Sequence, residues 1–307
     1  MVQEMTQLRD IIERLLGPGM RFDDNEVSGP VAEVDRDGHR GRISLFGGQV
    51  LEWQPAGHDS VLWLSDGAVF DQRAPIRGGI PVCWPWFADG GFAGHETHGD
   101  WPLHGFARTN VWSAESVDDA GQCTLVLPVA ADQSKYWPHA SRPCIVYGIG
   151  ATLSIAFEMT NIDPYPIEFT QALHTYFSVG DIEQISISGL EASPYIDKLT
   201  GDECPAAGAP IAIDAETDRI YQHLTRPIEL HDPVLKRTIT IEHDGAANAI
   251  VWNPWLEKSA RLDDMGGADA YRGMVCIETG NVSLNRVRLQ PGETYRLVTN
   301  ISVQKGI

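Results

Sequence analysis

Two titratable side chains interrupt apolar stretches of this 307-residue sequence at points where a charge is unusual. His174 lies within TQALHTYFSVGD, and Glu278 directly follows the apolar residues 274–277. An imidazole exchanges protons near neutral pH, and burial raises the pKa of a carboxyl group so that it becomes a useful base. Either residue could therefore serve as a general acid or base, whereas each also fits a plainer role, as a core histidine or an edge carboxylate.

Two arginines lie in glycine-containing, aromatic-rich segments, Arg77 in IRGGIP and Arg108 in LHGFARTN. A planar guanidinium group binds a carboxylate or a phosphate through two hydrogen bonds, and glycine lets the backbone approach a ligand closely. For either arginine alone, an ion pair with one of the many acidic residues is the alternative. Two such arginines in one unusual segment, residues 65–112, favour an anionic ligand.

The acidic composition requires that an anion be recognised locally. The chain contains 42 Asp and Glu against 23 Lys and Arg, which gives a formal net charge of -19. This charge disfavours nucleic acids and anionic membranes as partners. Because the Debye length is about 8 Å at physiological salt, paired cations next to the ligand can still bind a phosphate.

Aromatic residues suggest a sugar ligand, and the histidines and cysteines do not suggest a metal. Sugar rings pack on indoles, which makes Trp84 a candidate for substrate contact, while about half of the tryptophans at 84, 86, 101, 137, 252 and 255 are expected in the core. His95, His98 and His104 fit no tight zinc spacing, and the five cysteines include no CxxC pair. We therefore predict reduced thiols, no bound metal and no cofactor.

The elements that would hold these residues are strands. Beyond residue 19 the apolar periodicity shortens to two and long amphipathic helices are absent, which predicts an all-β fold, a large antiparallel β-sandwich. Residues 65–112 fit no strand and are too apolar for disorder, so we expect an ordered segment over a site. Asp218 and Arg219 are typical of a turn with an exposed ion pair. The predicted strands are 42–46, 124–129, 151–162, 185–190, 238–243, 249–253, 274–278 and 294–303.

The amino-terminal residues 1–20 form a separate predicted element. Apolar side chains recur there at helical spacing, which indicates a short amphipathic helix packed on a single domain of residues 21–307. This segment lacks the apolar region of a secretory signal, and no stretch reaches the roughly 20 apolar residues that cross a bilayer. We expect a cytoplasmic protein, and the absence of a hydrophobic interface stripe favours a monomer.

Seven short motifs resemble one enzyme family in the same order along nearly the whole chain, from about residue 30 to 303. The family is the hexose-6-phosphate mutarotases, or glucose-6-phosphate 1-epimerases, of the aldose 1-epimerase superfamily. Each motif alone is weak evidence, and seven in register are strong evidence. The motifs are IRGGIPVCWPWF at 76, HGFAR at 104, KYWPH at 135, LHTYFSVGDI at 173, TDRIY at 217, VWNPW at 251 and VCIETGNV at 275.

The resemblance implies a galactose-mutarotase-like β-sandwich and a role for each motif residue. His174 matches the family's general acid and Glu278 its general base. Arg77 and Arg108 match the positions that hold the phosphate of the sugar. His104 and Asp218 match positions that line the sugar pocket, whereas the contacts of the acidic stretch 261–273 are open.

Three alternatives share part of this evidence. An aldose 1-epimerase of unphosphorylated hexoses would use the same acid and base, but the end of its pocket that lies far from them would differ. A non-catalytic sugar-phosphate-binding protein would not need His174 together with Glu278. A glycoside hydrolase would require two carboxylates that flank the bond, and the sequence offers one well-placed carboxylate.

Overall fold

Antiparallel strands make up most of the protein, in agreement with the predicted sandwich. The computed structural model describes residues 20–25, 29–89, 101–118, 121–130 and 135–306. The helix predicted in residues 1–20 therefore lies almost entirely outside the described residues, and its packing on a single domain of residues 21–307 stays a prediction. Within the described ranges, no helix has the length and apolarity to cross a membrane.

Two eight-stranded sheets form the body of the fold, and we name them sheet I and sheet II. In space, sheet I runs β15-β14-β16-β19-β20-β11-β5, and β12 also pairs with β20. Its strands are β5 (Val82–Cys83), β11 (Gln171–Leu173), β12 (Tyr176–Ser178), β14 (Tyr195–Asp197), β15 (Asp202–Cys204), β16 (Thr217–Gln222), β19 (Asn248–Asn253) and β20 (Met274–Asn281).

Sheet II runs β13-β17-β18-β22-β9-β8-β7-β6. Its strands are β6 (Ser113–Val117), β7 (Cys123–Val126), β8 (Ser141–Ile149), β9 (Thr152–Asn161), β13 (Ser186–Ser188), β17 (Ile228–Asp232), β18 (Arg237–Asp244) and β22 (Thr294–Lys305).

Smaller elements complete the described part of the chain. A four-stranded sheet runs β1-β2-β3-β4, and β10 pairs with β21. The strands are β1 (Met20–Asn25), β2 (Gly29–Arg36), β3 (His39–Ser44), β4 (Gln49–Gln54), β10 (Ile167–Phe169) and β21 (Val287–Leu289). The helical segments are α1 (Trp255–Ser259) and three short 3₁₀ turns at Ala107–Thr109, Asp263–Met265 and Ala268–Gly273.

One large apolar core joins the two main sheets. Val275 and Ile277 of β20 lie in the same cluster of buried side chains as Phe157 of β9 and Leu297 of β22. These residues alternate along their strands with residues that point to the other face of the sheet, as the pleat requires. Burial of apolar surface in this layer stabilises the fold by about 25 cal/mol per Å² and is the main stabilising contribution.

Every predicted strand corresponds to a strand of the structure, whereas one predicted turn is wrong. Asp218 and Arg219 lie within β16, whose register pairs them with Trp252 and Val251 of β19. The polar pair looked like a turn because its partners lie far away in sequence. The described part of residues 65–112 contains only the short strand β5 and one 3₁₀ turn, in agreement with a mostly irregular, ordered segment.

Candidate active site

His174, which lies between β11 and β12, faces Glu278 of the neighbouring strand β20 in sheet I. The registers of β11 and β12 against β20 place position 174 opposite position 278. Nε2 of His174 lies 3.4 Å from Oε1 of Glu278, and both side chains are buried. This separation is longer than a good hydrogen bond, a common feature of catalytic pairs without substrate.

Alternation along β20 directs Glu278 away from the core. Val275 and Ile277 project into the layer between the two sheets, so Glu278 projects from the other face of sheet I. On that face, Trp252 of β19 and Asp218 of β16 lie in the next row of paired residues. The register of sheet I therefore brings together polar groups from distant parts of the sequence.

Two glycines allow the backbone to turn sharply directly after Arg77. Gly78 and Gly79 have positive φ angles of 111° and 63°, and a Cβ atom at position 78 would lie 2.6 Å from a backbone carbonyl oxygen. Nε and Nη2 of Arg77 each lie 3.0 Å from Oδ2 of Asp264, and Nη1 donates to the Tyr176 hydroxyl at 3.0 Å. Arg77 thus forms the internal ion pair that was its alternative in the sequence, and it also borders a cavity.

Arg108 is buried and has more unused donors than Arg77. Its Nη2 donates to the carbonyl oxygen of Leu103 at 2.7 Å, and its Nε is buried without a hydrogen-bond partner. Within the described part of the chain, no carboxylate lies within 4.0 Å of its guanidinium nitrogens. A buried cation without a counter-ion is costly, which points to an anion that binds from outside.

His104 is fixed by the backbone of Ala88 on both sides. Its main-chain N–H donates to the Ala88 carbonyl, and its ring Nδ1 accepts from the Ala88 N–H at 3.2 Å. A neutral ring that accepts at Nδ1 carries its proton on Nε2. The edge of the ring packs on Phe87, with 4.6 Å between ring centroids. His104 therefore offers one N–H donor in a fixed orientation.

These residues line two adjoining cavities. The first, of about 160 Å³, is lined by both arginines with His104, His174, Tyr176 and Asp264 among others, and we name it the cationic cavity. The second, of about 200 Å³, is lined by Glu278, Asp218, Lys198 and Trp252 among others, and we name it the acid–base cavity. Arg77, Leu103, His104 and His174 belong to both.

A larger cavity of about 350 Å³ lies elsewhere and is a weaker candidate. Among its lining residues are Leu127, Lys135 and Tyr136, and none of the described residues around it is a carboxylate or an imidazole. Volume alone does not indicate chemistry, whereas buried groups with shifted pKa values beside a cleft do. The two smaller cavities satisfy that criterion.

Burial shifts the pKa values of His174 and Glu278 in opposite directions. Loss of solvation raises the pKa of Glu278 well above its usual 4.5, against the opposing effect of the Lys198 ammonium. Loss of solvation also lowers the pKa of His174 well below 6.5, and the positive charges of Arg108 and Arg77 lower it further. Both changes disfavour the charged forms, so a proton shared by the pair is held more favourably by the carboxyl group than by the imidazole.

The two arginines differ in how strongly the protein stabilises their charge. Burial lowers the pKa of Arg108 below its usual value, and the neighbouring Arg77 contributes in the same direction. For Arg77 burial acts in that direction too, but Tyr176 and Asp264 outweigh it and raise the pKa above the usual value. Arg108 is thus the cation that gains most from a new anionic partner.

Trp84 does not join the other predicted residues. Its side chain is fully buried and packs edge-on against Phe106 and Trp137, with 5.4 Å between ring centroids in each case. It is absent from the lining of both candidate cavities. The structure therefore places Trp84 in the core, outside both candidate cavities, and its assignment to substrate contact stays a prediction that this position does not support. Trp252, which is half-buried, is a lining residue of the acid–base cavity.

Three residues of the site were not singled out in the sequence. Lys198 donates to Oδ2 of Asp218 at 2.9 Å, although 20 residues separate them. Asp264 holds Arg77 from the acidic stretch 261–273, whose contacts the sequence left open. Tyr176 stacks on the ring of His174 at 4.7 Å. Only Tyr176 carried a signal, since it lies two residues from His174, a spacing that places two side chains on the same side of an extended chain.

Metal-binding features are absent from the part of the chain that the structure describes. No group of three or more His, Cys, Asp and Glu side chains there could hold a metal ion. His95 and His98 lie outside the described residues. All five cysteines are free, and four of them are buried, as predicted.

Sequence comparison relates the chain to epimerases. Residues 32–302 match the family described as Aldose 1-epimerase. A Cenchrus ciliaris protein named "Putative glucose-6-phosphate 1-epimerase" is 35% identical over 267 residues, which cover 83% of this chain and 78% of that protein. A protein of the same name from Escherichia coli K12 is 35% identical over 254 residues, which cover 81% of this chain and 82% of that protein.

Structure comparison gives the same relationship. A crystal structure described as "a putative mutarotase (YeaD)" from Salmonella typhimurium superimposes with a TM-score of 0.85 at 31% identity, covering 96% of this chain and 99% of that chain. The galactose 1-epimerase of Lactobacillus acidophilus NCFM superimposes with a TM-score of 0.71 at 14% identity, covering 95% and 100%. The second likeness concerns the fold alone.

Proposed function

Because this chain belongs to the aldose 1-epimerase family, we propose that it is an isomerase that interconverts the α and β anomers of a hexose 6-phosphate, with D-glucose 6-phosphate as the expected substrate. One arrangement supports the proposal above all. A buried imidazole and carboxyl 3.4 Å apart adjoin a cavity lined by two arginines. An acid–base pair and an oxyanion site thus lie side by side, as a sugar phosphate requires.

Anomerisation needs one proton removed and one delivered. We assign removal of the O1 hydroxyl proton to Glu278 and protonation of the ring oxygen to His174. Before this step Glu278 is a carboxylate and His174 an imidazolium. The bond between C1 and the ring oxygen breaks, and O1 becomes the carbonyl oxygen of the open-chain aldehyde. Rotation about C1–C2 presents the other carbonyl face, and the reverse proton transfers close the ring.

The buried pair favours the ring-opened state. After ring opening Glu278 carries the proton and His174 is neutral. These are the forms that loss of solvation favours for both groups. The site therefore stabilises the open-chain intermediate relative to the charged pair that precedes it.

The phosphate is assigned to the cationic cavity. Arg108 is the principal ligand, because its Nε has no hydrogen-bond partner, whereas Asp264 already holds two nitrogens of Arg77. In the acid–base cavity, Asp218 and the Nε2–H of His104 are assigned to ring hydroxyls. The half-buried face of Trp252 is assigned to the apolar side of the sugar ring.

Exchange NMR of the two anomers tests the function directly. The protein should accelerate exchange of glucose 6-phosphate far more than exchange of glucose at equal concentrations. Arg108→Ala should lower kcat/KM for the phosphorylated sugar roughly 10- to 150-fold, since a hydrogen bond to a charged group contributes about 1.5–3 kcal/mol. Arg142→Ala, which removes an exposed partner of Glu115, is the control and should change little.

Two results would redirect the assignment. Equal acceleration of both sugars, with no effect of Arg108→Ala, would favour an aldose 1-epimerase of unphosphorylated hexoses. Binding of glucose 6-phosphate without any acceleration of exchange would favour a non-catalytic binding protein and contradict the proposal.

A further inference from the structure

The two cavities can hold separate molecules, and His174 contacts both. The cationic cavity is lined by Arg77 and Arg108, and the acid–base cavity by Glu278. His174 is part of both linings, whereas Glu278 lines only the second. A hexose 6-phosphate would occupy both cavities at once. A hexose and a free oxyanion would occupy them as two ligands.

His174 lies in a positive environment. Burial together with the charges of Arg108, Arg77 and Lys198 holds its pKa well below the usual value. The ring of Tyr176 stacks on the imidazole, and the hydroxyl of that tyrosine accepts from Arg77 at 3.0 Å. The titratable and charged groups nearest His174 are Arg77, Arg108, His104, Tyr176, Lys198 and Glu278. Asp264, Asp218 and Lys258 also line the two cavities, and Asp264 offsets part of the charge of Arg77.

We propose that an oxyanion bound between Arg77 and Arg108 activates the acid–base pair, so that a free dianion makes this protein a mutarotase of unphosphorylated hexoses. This inference rests on the proposed function and assigns the phosphate of the substrate a second role. Besides anchoring the sugar, the phosphate prepares His174 to act as an acid.

The physical reason is the field at His174. A dianion in the cationic cavity offsets the two guanidinium charges, so protonation of His174 becomes less unfavourable. Glu278 is affected less, because it does not line that cavity and, of the two arginines, only Arg108 acts on its pKa. The equilibrium position of the shared proton therefore shifts from Glu278 toward His174 across the 3.4 Å gap. The result is the carboxylate and imidazolium that ring opening requires.

Sulfate is the appropriate probe for this activation. It is a dianion of very low basicity, so it does not itself catalyse mutarotation as phosphate does. We would measure glucose anomer exchange by NMR with the full-length wild-type protein, with sulfate and with sodium chloride at matched ionic strength. We expect sulfate to raise kcat/KM for glucose at least roughly 10-fold and saturably, with the roughly 10²- to 10⁴-fold contribution of a positioned acid or base as the upper limit. Sulfate should inhibit exchange of glucose 6-phosphate competitively.

A variant and a spectroscopic readout complete the test. Arg108→Ala should abolish activation by sulfate, whereas Arg142→Ala should retain it. Independently of any variant, sulfate alone should move the NMR titration of the His174 ring to higher pH. If sulfate leaves glucose exchange unchanged or slows it while glucose 6-phosphate is still turned over, the inference is wrong and the proposed function stands. If neither sugar is exchanged, both are wrong.

Discussion

At the scale of single residues, the site depends on one shared proton. The pKa of Glu278 is raised and that of His174 lowered, chiefly because both side chains have lost their hydration. Since the groups lie 3.4 Å apart, they titrate as a pair, and the apparent pKa values belong to the pair. The catalytic form is then the singly protonated pair, which exists between those two values.

We expect a bell-shaped dependence of kcat/KM on pH. The acid limb should lie below the usual histidine value of 6.5, because the pKa of His174 is lowered. The alkaline limb should lie above the usual glutamate value of 4.5, because the pKa of Glu278 is raised. Glucose is the better substrate for this measurement, because a sugar phosphate itself titrates near pH 6. A rate that follows a single ionisation would contradict the shared proton.

Lys198 should determine the pH range over which kcat/KM is high. Its ammonium lowers the pKa of Glu278 and of His174, so Lys198→Met should raise both and move the whole profile to higher pH. Lys258→Met is the matched control. Lys258 lines the same cavity and, like Lys198, is ion-paired, with Glu216 at 2.8 Å, but it is not among the charges that shift the pKa of Glu278 or His174. If the pH profile moves equally in both variants, Lys198 has no specific effect on the acid–base pair and the prediction is wrong.

At the scale of elements, strand register determines which side chains meet. Position 174 lies opposite position 278 because β11 and β12 both pair with β20. Segments outside the strands then bring Arg77, His104 and Arg108 to that face of sheet I. The glycines after Arg77 matter for this reason, since their positive φ angles and close backbone contacts leave no space for a side chain.

Gly79→Ala should test that requirement. Its φ angle is 63°, and an added Cβ would overlap the carbonyl oxygen of Val50. We expect a loss of about 2–5 kcal/mol in the free energy of unfolding, from backbone strain and steric overlap together. Gly57→Ala is the control, because φ is 75° there but no atom lies within 4 Å. It should lose only about 1–2 kcal/mol. Urea unfolding measures both, and equal losses would contradict a packing role for Gly79.

Much of this arrangement could be predicted from the sequence, and the remainder depends on long-range contacts. The strands follow from period-two alternation, and the glycines beside Arg77 indicated close backbone approach. The contact of Arg77 with Asp264 spans 187 residues and has no local signal. Trp84 shows the limit of a local motif, because a tryptophan in such a motif packs equally well in the core behind the site and in the site itself.

At the scale of the whole molecule, a strongly acidic protein contains a small cationic cavity. The net charge of -19 gives no attraction for a phosphate, so binding depends on two guanidinium groups within one cavity of about 160 Å³. The fold also maintains a buried carboxyl group whose Oε2 has no hydrogen-bond partner. Such a group lowers the stability of the fold, a common property of catalytic sites.

Glu278→Gln should therefore raise the free energy of unfolding. In the wild type the folded-state pKa of Glu278 lies above its unfolded value, so stability is lost as pH rises between the two. The neutral amide does not titrate, and its advantage should grow by at most about 1.4 kcal/mol per pH unit in that interval. The exposed Glu229→Gln is the control for urea unfolding at several pH values. If the stability advantage of Glu278→Gln over the wild type shrinks as pH rises, the raised pKa of Glu278 in the folded state is contradicted.

The same substitution provides the most direct test of the catalytic pair. Anomer exchange of glucose 6-phosphate should be measured by NMR with Glu278→Gln, after ligand titration has shown that the sugar still binds. We expect the exchange rate constant to fall roughly 10²- to 10⁴-fold, as loss of a general base does, while Glu229→Gln retains full activity. Undiminished exchange by a folded, substrate-binding Glu278→Gln variant would contradict the account.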